Sequence, residues 1–301
     1  MSRSWRFELG RARASARIGY DYLRSLLRPP RGDTIPGHGP GVPTVVAGGS
    51  APVAASLPAT LRLLSWNIHR AYDDRGVAES LRAVIRDRDP HVVLLQEVPV
   101  YPRGPWWLEP GVQTVLAGMQ LVFAAMHRVA RPTAYYPFLE SGVLIGVQAP
   151  LASHRAVRLP VASRPKLGSS HRIERVALGV RCRAGNLTPE IWNVHLENTA
   201  RPSARVRQTM ALAAALGDGC TIVGGDFNTM FGPFEGVVAA LEAAGLQRVV
   251  PGNERRMSPS IDHFFVRGVA AARGEVLRLR GSDHLPIYAE VELEGGPPGA
   301  S

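Results

Sequence analysis

Two cysteines, one lysine and no long apolar run set the first limits on this 301-residue sequence. Cys182 and Cys220 are too few for a disulfide framework, and nothing beside them has zinc-site spacing. Both read as small buried residues in or next to strands. A reducing compartment fits that usage best, with a single bridge as the alternative. No stretch of about 18 uninterrupted apolar residues occurs, so no membrane-spanning helix is expected. There is no Gly-x-Ser-x-Gly elbow and no Walker-type phosphate loop, which disfavours a serine nucleophile and a P-loop nucleotide site.

Lys166 is the single lysine, so the net charge of +10 is carried by arginine. Arginine usage of this kind reads first as compositional bias and second as phosphate binding. The charge is unevenly placed. Residues 1–31 hold eight arginines against Glu8 and Asp21, so +6 resides there and +4 in all the rest. The body of the chain thus offers little for a long polyanion groove.

Residues 1–28 read as a basic amphipathic helical arm, with Trp5, Leu9, Ile18, Tyr22, Leu26 and Leu27 set among arginines. It lacks the compact apolar segment and small-residue cleavage site of a secretory signal. It suits docking on the main domain, or contact with an anionic membrane surface. Residues 29–60 are rich in Pro, Gly, Ala and Val and read as a linker without regular structure. The catalytic domain is expected over 61–294, followed by a disordered tail at 295–301. A cytoplasmic monomer is expected, peripheral at the membrane if the arm binds lipid.

Within the domain, strands are predicted at 61–68, 91–96, 143–147, 156–159, 176–181, 190–195, 221–225, 261–266, 274–280 and 287–292. Helices are predicted at 77–88, where Leu81, Val84 and Ile85 share a face, and at 203–216. Many strands at short intervals with few helices suggest an α/β protein of two packed sheets with helices outside.

Polar residues stand where the apolar strands stop. Asn67 ends 61–68, and an amide can donate to a phosphate oxygen or hold a metal-bound water. Glu97 ends the buried run Val92-Val93-Leu94-Leu95, where a carboxylate is costly unless paired or metal-bound. His195 ends 190–195 and can donate to a phosphate or a leaving oxygen. Asp226 and Asn228 follow two glycines after Ile222-Val223. The glycines let the chain turn and a ligand approach. In extended geometry residues two apart share a face, so the two side chains can grip one substrate. Asp262 enters one strand, and Asp283-His284 precedes another. An aspartate accepting from one ring nitrogen fixes a histidine's tautomer and raises its basicity. His284 is the best general-base candidate, although His263 also neighbours Asp262. Each residue alone has an ordinary structural reading as a turn, a surface carboxylate or a hydrogen-bonded core group. A donor set rich in Asp, Asn and Glu, with no His-Glu-x-x-His helix, suits Mg²⁺ or Mn²⁺ better than zinc.

The ordered series Ser-Trp-Asn67-Ile, Leu-Leu-Gln-Glu97-Val, Val-His195-Leu, Gly-Gly-Asp226-Phe-Asn228, Ile-Asp262-His-Phe and Ser282-Asp283-His284-Leu-Pro-Ile resembles the endonuclease/exonuclease/phosphatase superfamily. The resemblance implies a DNase I-like four-layer α/β sandwich, two packed mixed β-sheets flanked by helices, and Mg²⁺-dependent phosphoester hydrolysis. It implies that Glu97 binds the metal with Asn67 and Asp283 close by. Asp226 and Asn228 would orient water and phosphate, His284 would be the base held by Asp262, and His195 would donate to phosphate or leaving group. His263 is then structural, and Arg175 is placed near the substrate. The stretch Gly142-Val143-Leu144-Ile145-Gly146 lacks the Asn and Ser-Arg of many relatives. Asn-Ile-His-Arg stands where repair enzymes have Asn-x-Asn-Gly, which argues against abasic-site repair.

The leading expectation is a Mg²⁺-dependent phosphoester hydrolase with phosphodiesterase or nuclease-type chemistry, its substrate a nucleic acid or another phosphate ester. A phospholipid or small-molecule phosphoesterase tethered by the arm is the alternative. In either, Trp106-Trp107 could be an exposed loop that stacks on bases or enters a membrane interface, or part of the core. A catalytically inactive binding module is the rival of another class.

Overall fold

The computed structural model describes residues 45–49, 54–69, 74–100, 110–129, 140–160, 171–198, 202–229, 235–254 and 261–294. The arm at 1–28, Trp106-Trp107 and the tail at 295–301 lie outside the described residues. In chain order the elements are β1 (Val45–Gly49), β2 (Thr60–Asn67), α1 (Asp74–Arg88), β3 (Val92–Val100), α2 (Pro110–Val115), β4 (Gln120–Val129) and β5 (Glu140–Val147). There follow β6 (Leu151–Leu159), β7 (His171–Ile173), β8 (Arg175–Cys182), β9 (Glu190–His195), α3 (Pro202–Ala213) and β10 (Thr221–Asp226). The series closes with α4 (Gly236–Ala243), β11 (Gln247–Val249), β12 (Asp262–Arg267), β13 (Val269–Val276) and β14 (Ile287–Leu293).

The strands make two mixed sheets. The larger runs β1-β4-β5-β3-β2-β14-β13, with β7 paired to β4; the smaller runs β11-β12-β10-β9-β8-β6. Each has one parallel pair, β2 with β3 and β9 with β10. Parallel neighbours need a crossover, and α1 and α3 supply it. The period-2 alternation of each strand then sorts its side chains into separate cores. Leu61, Leu63, Val92, Leu94, Leu178, Ile191, Ile222 and Phe264 pack between the sheets. Leu64, Trp66, Val93 and Leu95 face outward onto Val77, Leu81 and Val84 of α1. Trp192, Val194, Val223 and Phe265 face outward onto Leu212 of α3 and Val237 and Leu241 of α4. The result is a four-layer α/β sandwich. Among the described residues no helix is long and apolar enough to cross a membrane.

Three expectations need correction. The linker read over 29–60 contains β1, which pairs antiparallel with β4 from Val45↔Ala124 to Gly49↔Gln120. Leu57 of the same stretch is buried in the inter-sheet core. The Val-Val-Ala-Gly-Gly of β1 has no alternation, because an edge strand can draw its order from main-chain pairing alone. The strand read at 274–280 ends at Val276, and Leu277 turns into the core under α1. Finally, β4 was not anticipated. Its Leu121-Val122-Phe123-Ala124-Ala125-Met126 is buried on both faces, and such a run has no period to mark it as a strand.

Both cysteines are free thiols. Burial pushes Cys182 up to about 12, and burial with the Glu294 carboxylate pushes Cys220 up to about 11, so both stay protonated and inert.

Candidate active site

Along the inner faces of both sheets the apolar alternation stops at one end and polar residues take over. On β2 the inner series Leu61, Leu63 continues as Ser65 and Asn67; on β3, Val92 and Leu94 lead to Gln96. On β9, Ile191 leads to Asn193 and His195; on β10, Ile222 and Gly224 lead to Asp226. The register sets Asp226 directly beside His195 on one side and Asp262 on the other. Five strands therefore deliver their last inner-facing side chains to one end of the sandwich.

The two glycines before Asp226 serve this packing and not ligand approach, contrary to expectation. A Cβ on Gly224 would stand 2.4 Å from the Phe264 ring and 2.6 Å from Leu94 Cδ1. Gly225, at φ +144°, has the Val194 carbonyl where a Cβ would be. Together they let the sheets and β9 close in beneath the site.

Asp226 is its centre. Its Oδ2 accepts from Asn67 Nδ2 at 2.9 Å and lies 3.5 Å from His195 Nε2 and 3.7 Å from His284 Nε2. Its Oδ1 accepts the Asn228 amide at 2.9 Å. His284 Nδ1 is 2.9 Å from Asp262 Oδ2, so the imidazole is held from behind with Nε2 turned to Asp226. Two further bonds fix the loop that carries it. Trp66 Nε1 donates to the His284 carbonyl at 3.1 Å, and Ser282 Oγ donates to the Asn67 carbonyl at 2.6 Å. Glu97 Oε1 stands 4.0 Å from His195 Nε2. Asp283 Oδ1 is 3.5 Å from His69 Nδ1.

Three residues here take left-handed backbone: His69 (φ 47°), Glu97 (φ 54°) and Asn228 (φ 50°). Non-glycine residues pay for that conformation, and such strain gathers at functional sites. It overturns the expectation that Asn228 extends β10. The strand stops at Asp226, and Asn228 Nδ2 turns away to donate to the Leu196 carbonyl at 3.0 Å. Asp226 and Asn228 are thus not two parallel fingers on one substrate. Asn228 fixes the turn and presents its backbone amide to Asp226.

The electrostatics follow from crowding charge in a dry place. Burial pushes the Asp226 carboxyl above its usual range and Asp262 adds to the rise, while His284, Asn67 and the Asn228 amide pull it back in part. Burial alone would lower His284, but Asp262, Asp226 and Asp283 outweigh it and hold the imidazole above its ordinary value. Asp226, Asp262 and His284 each offer a ligand atom within 4.8 Å of the others. That compact group differs from the expected metal set of Glu97, Asn67 and Asp283. The Nδ1–Oδ2 bond holds His284 against Asp262 with Nε2 facing Asp226, so we read the three as a base and its orienting carboxylates. Glu97, 4.0 Å from the imidazole of His195, and Asp283, next to His284 in the chain, add hard oxygen donors to this end of the sandwich, and donors of that type suit a divalent cation.

His263 belongs elsewhere. It alternates to the outer face, where it lies against Phe227 and Phe265. Arg248 Nε donates to its Nδ1 at 3.1 Å, so Nε2 carries the hydrogen to Thr229 Oγ1 at 2.7 Å. Burial and Arg248 push it down from 6.5 to about 3. Below pH 6.5 the unfolded chain gains a proton that the folded chain refuses. Stability from neutral His263 is therefore full above 6.5 and is lost as pH falls toward 3. Between pH 6.5 and 5 this amounts to about 2 kcal/mol, at ~1.4 kcal/mol per pH unit. Urea titrations at pH 7 and pH 5 should show that extra loss in the wild type relative to His263→Gln. Equal losses in the two proteins would mean that the folded state does accept the proton.

Arg175 is not at the substrate position expected for it. It opens β8, is buried, and binds Glu197 Oε1 at 3.2 Å and the His195 carbonyl at 3.4 Å. Arg205, paired through Nε and Nη2 with Glu235 at 2.9 Å, reaches the Glu197 carbonyl with Nη1 at 3.3 Å. These arginines brace the chain just after His195. His69 and Ser282 also went unrecognised as site residues; the one visible signal was their place inside two of the motifs.

The family model described as Endonuclease/Exonuclease/phosphatase family matches residues 64–284. The fold is similar to the crystal structure of an endonuclease/exonuclease/phosphatase from Beutenbergia cavernae DSM 12333. The TM-score is 0.61 and the identity 22%, covering 80% of this chain and 73% of that one. It is also similar to the human Nocturnin catalytic domain with bound sulfate anion, with TM-score 0.58, 18% identity and coverage of 83% and 97%. Truncated TDP2 from Caenorhabditis elegans has TM-score 0.50 and 15% identity, with coverage of 77% and 97%. At these identities the likeness speaks for the fold. No curated protein matches the chain in sequence.

Proposed function

The chain belongs to the endonuclease/exonuclease/phosphatase family and has its DNase I-like fold, and from these and its site we propose that it is a Mg²⁺-dependent phosphoester hydrolase of phosphodiesterase type. One observation carries the reading. His284 is tied by Nδ1 to Asp262 at 2.9 Å and turns Nε2 toward buried Asp226, whose same oxygen faces His195 Nε2 at 3.5 Å. Two imidazoles converging on one carboxylate bring a proton acceptor and a proton donor to one place, as attack by water on a phosphoryl group requires.

The bond changes balance as follows. Asp262 accepts the Nδ1 hydrogen, which leaves the Nε2 lone pair of neutral His284 to take a proton from water. The water oxygen forms a bond to phosphorus while the opposite phosphorus–oxygen bond breaks. His195 Nε2 donates to the leaving oxygen, or to a non-bridging oxygen as its charge grows. Asp226 orients the water from between the two rings. Glu97, with Asn67 and Asp283 as further ligands, would hold a Mg²⁺ or Mn²⁺, which when bound would supply positive charge against the phosphoryl group and against the carboxylates that raise His284.

The sulfate bound by the Nocturnin catalytic domain, a tetrahedral oxyanion, supports a phosphate-shaped ligand on this fold. The test is turnover of bis-p-nitrophenyl phosphate, plasmid DNA and sphingomyelin vesicles with Mg²⁺, with chelator, and in His284→Ala. Metal-dependent turnover that collapses in the variant is expected, and the fastest substrate identifies the branch. A wild type no faster than His284→Ala on every ester would remove the proposal in favour of a binding module.

A further inference from the structure

Beneath the site, a polar cluster crosses between the sheets through an otherwise apolar core. Asn193, Gln96 and Ser65 are each fully buried. Gln96 Nε2 donates to Asn193 Oδ1 at 2.7 Å and to Ser65 Oγ at 3.2 Å. Asn193 Nδ2 donates to two main-chain carbonyls of the opposite sheet, Leu95 at 2.9 Å and Leu144 at 2.8 Å. Burying amides between sheets is costly unless each is bonded, so the arrangement calls for a reason beyond packing.

The two carbonyls mark the place. Leu95 pairs with Leu144, and the next regular pair is Val98 with Gly142. Gln96 and Glu97 therefore stand opposite Val143 alone, a β-bulge that re-aims the strand. Glu97 sits in that bulge at φ 54°. The Gln96 main-chain carbonyl also accepts the Ile68 amide at 3.1 Å, which ties the bulge to the strand end bearing Asn67. On its own strand Asn193 lies two residues before His195, on the same face.

We propose that Asn193 is a positioning residue: by clipping the β3 bulge to β9, its side-chain amide sets Glu97 and His195 beside each other, 4.0 Å apart, in the site. Asn193 touches neither substrate nor cation. It acts through the carbonyls of Leu95 and Leu144 on one side and through the rigid β9 backbone on the other. Gln96 locks the Asn193 amide in the orientation that gives both hydrogens to the carbonyls. The inference rests on the reading of Glu97 as a cation ligand.

Asn193→Asp tests it, since the shape and the acceptor for Gln96 remain while both donors are replaced by oxygen facing two carbonyls. Gln96→Met is the milder partner should that variant fail to fold. Leu241→Ala, in the outer core away from the site, serves as a control with a comparable loss of Tm. Three quantities are read at matched folded fraction: amide exchange over residues 95–98 and 143–145 without metal, Mn²⁺ affinity by paramagnetic resonance, and kcat on bis-p-nitrophenyl phosphate. Faster exchange confined to the two segments is expected, with Mn²⁺ affinity and kcat each reduced about tenfold or more, and neither effect in the control. Wild-type exchange at 95–98, or affinity and kcat no different from Leu241→Ala, would overturn the proposal. A wild type with no turnover at all would sink the hydrolase reading instead, and the exchange and Mn²⁺ results would still decide for or against the clip.

Discussion

Asp262→Asn is expected to slow turnover roughly 10³–10⁴-fold, as severely as His284→Ala. The carboxylate is 4% exposed and bonded at 2.9 Å to the imidazole it orients. An asparagine can keep that bond only through its carbonyl oxygen, and then without charge. If it instead presents its nitrogen, the imidazole must carry its hydrogen on Nε2, which is the wrong nitrogen for a base facing Asp226. Both orientations leave His284 less basic. The two residues act as a unit, so the double variant should be little slower than either single one. The fold should survive, because removing a charge set directly beside Asp226 relieves repulsion. Steady-state kinetics on bis-p-nitrophenyl phosphate with a thermal melt of each variant checks both statements. Retention of more than about a tenth of wild-type turnover would mean that His284 is not the base, since positioned proton transfer is worth at least ~10²-fold.

Glu97→Gln is expected to remove the response to divalent cation. At a Mg²⁺ concentration of about 100 times Kd, a ligand of the folded state adds about 2.7 kcal/mol, or roughly 5–10 °C in Tm for a domain of this size. The wild type should show that rise and lose it on chelation. The variant should melt at one temperature with or without Mg²⁺ and turn over about 100-fold more slowly or worse. The substitution keeps size and shape, so an altered metal-free Tm is not required. A variant that keeps the full Mg²⁺-induced rise would transfer the cation to the Asp226 and Asp262 side of the site, which would then be ligands and not orienting groups.

The parts of this site that could be read from sequence are those fixed by alternation. Asn67, His195 and Asp226 each follow an inner-facing apolar series by two-residue steps, and Asp262 opens such a series, so strand and side chain were legible together. Asn228 was not, because its left-handed backbone breaks the alternation just where the chain seemed to continue it. The family resemblance set Arg175 near the substrate; its partner Glu197 lies 22 residues on and becomes visible only in three dimensions. The Asn193 clip joins residues 49 and 98 positions apart, and no local pattern carries that information. In the fold, α1 and the buried centre of β3 were plain. By contrast β4 was lost in an apolar run with two buried faces, and β1 in a segment whose order comes from its neighbour.

The pairing of β2 bears on how this protein is made. One flank of β2 is β3, which follows it closely, but the other is β14, the last strand in the order, with Ser65 waiting for Ile287. At ~5–20 residues per second a ribosome needs roughly ten to forty seconds to bridge that gap. Throughout it, the middle of the larger sheet is an open edge able to pair with a foreign strand. Asp283 and His284 emerge just ahead of β14, so the same few seconds close the sheet and complete the proposed catalytic set. On the proposed reading a nascent chain is therefore inert until His284 has emerged, and the danger of misassembly and the onset of activity are separated by one strand.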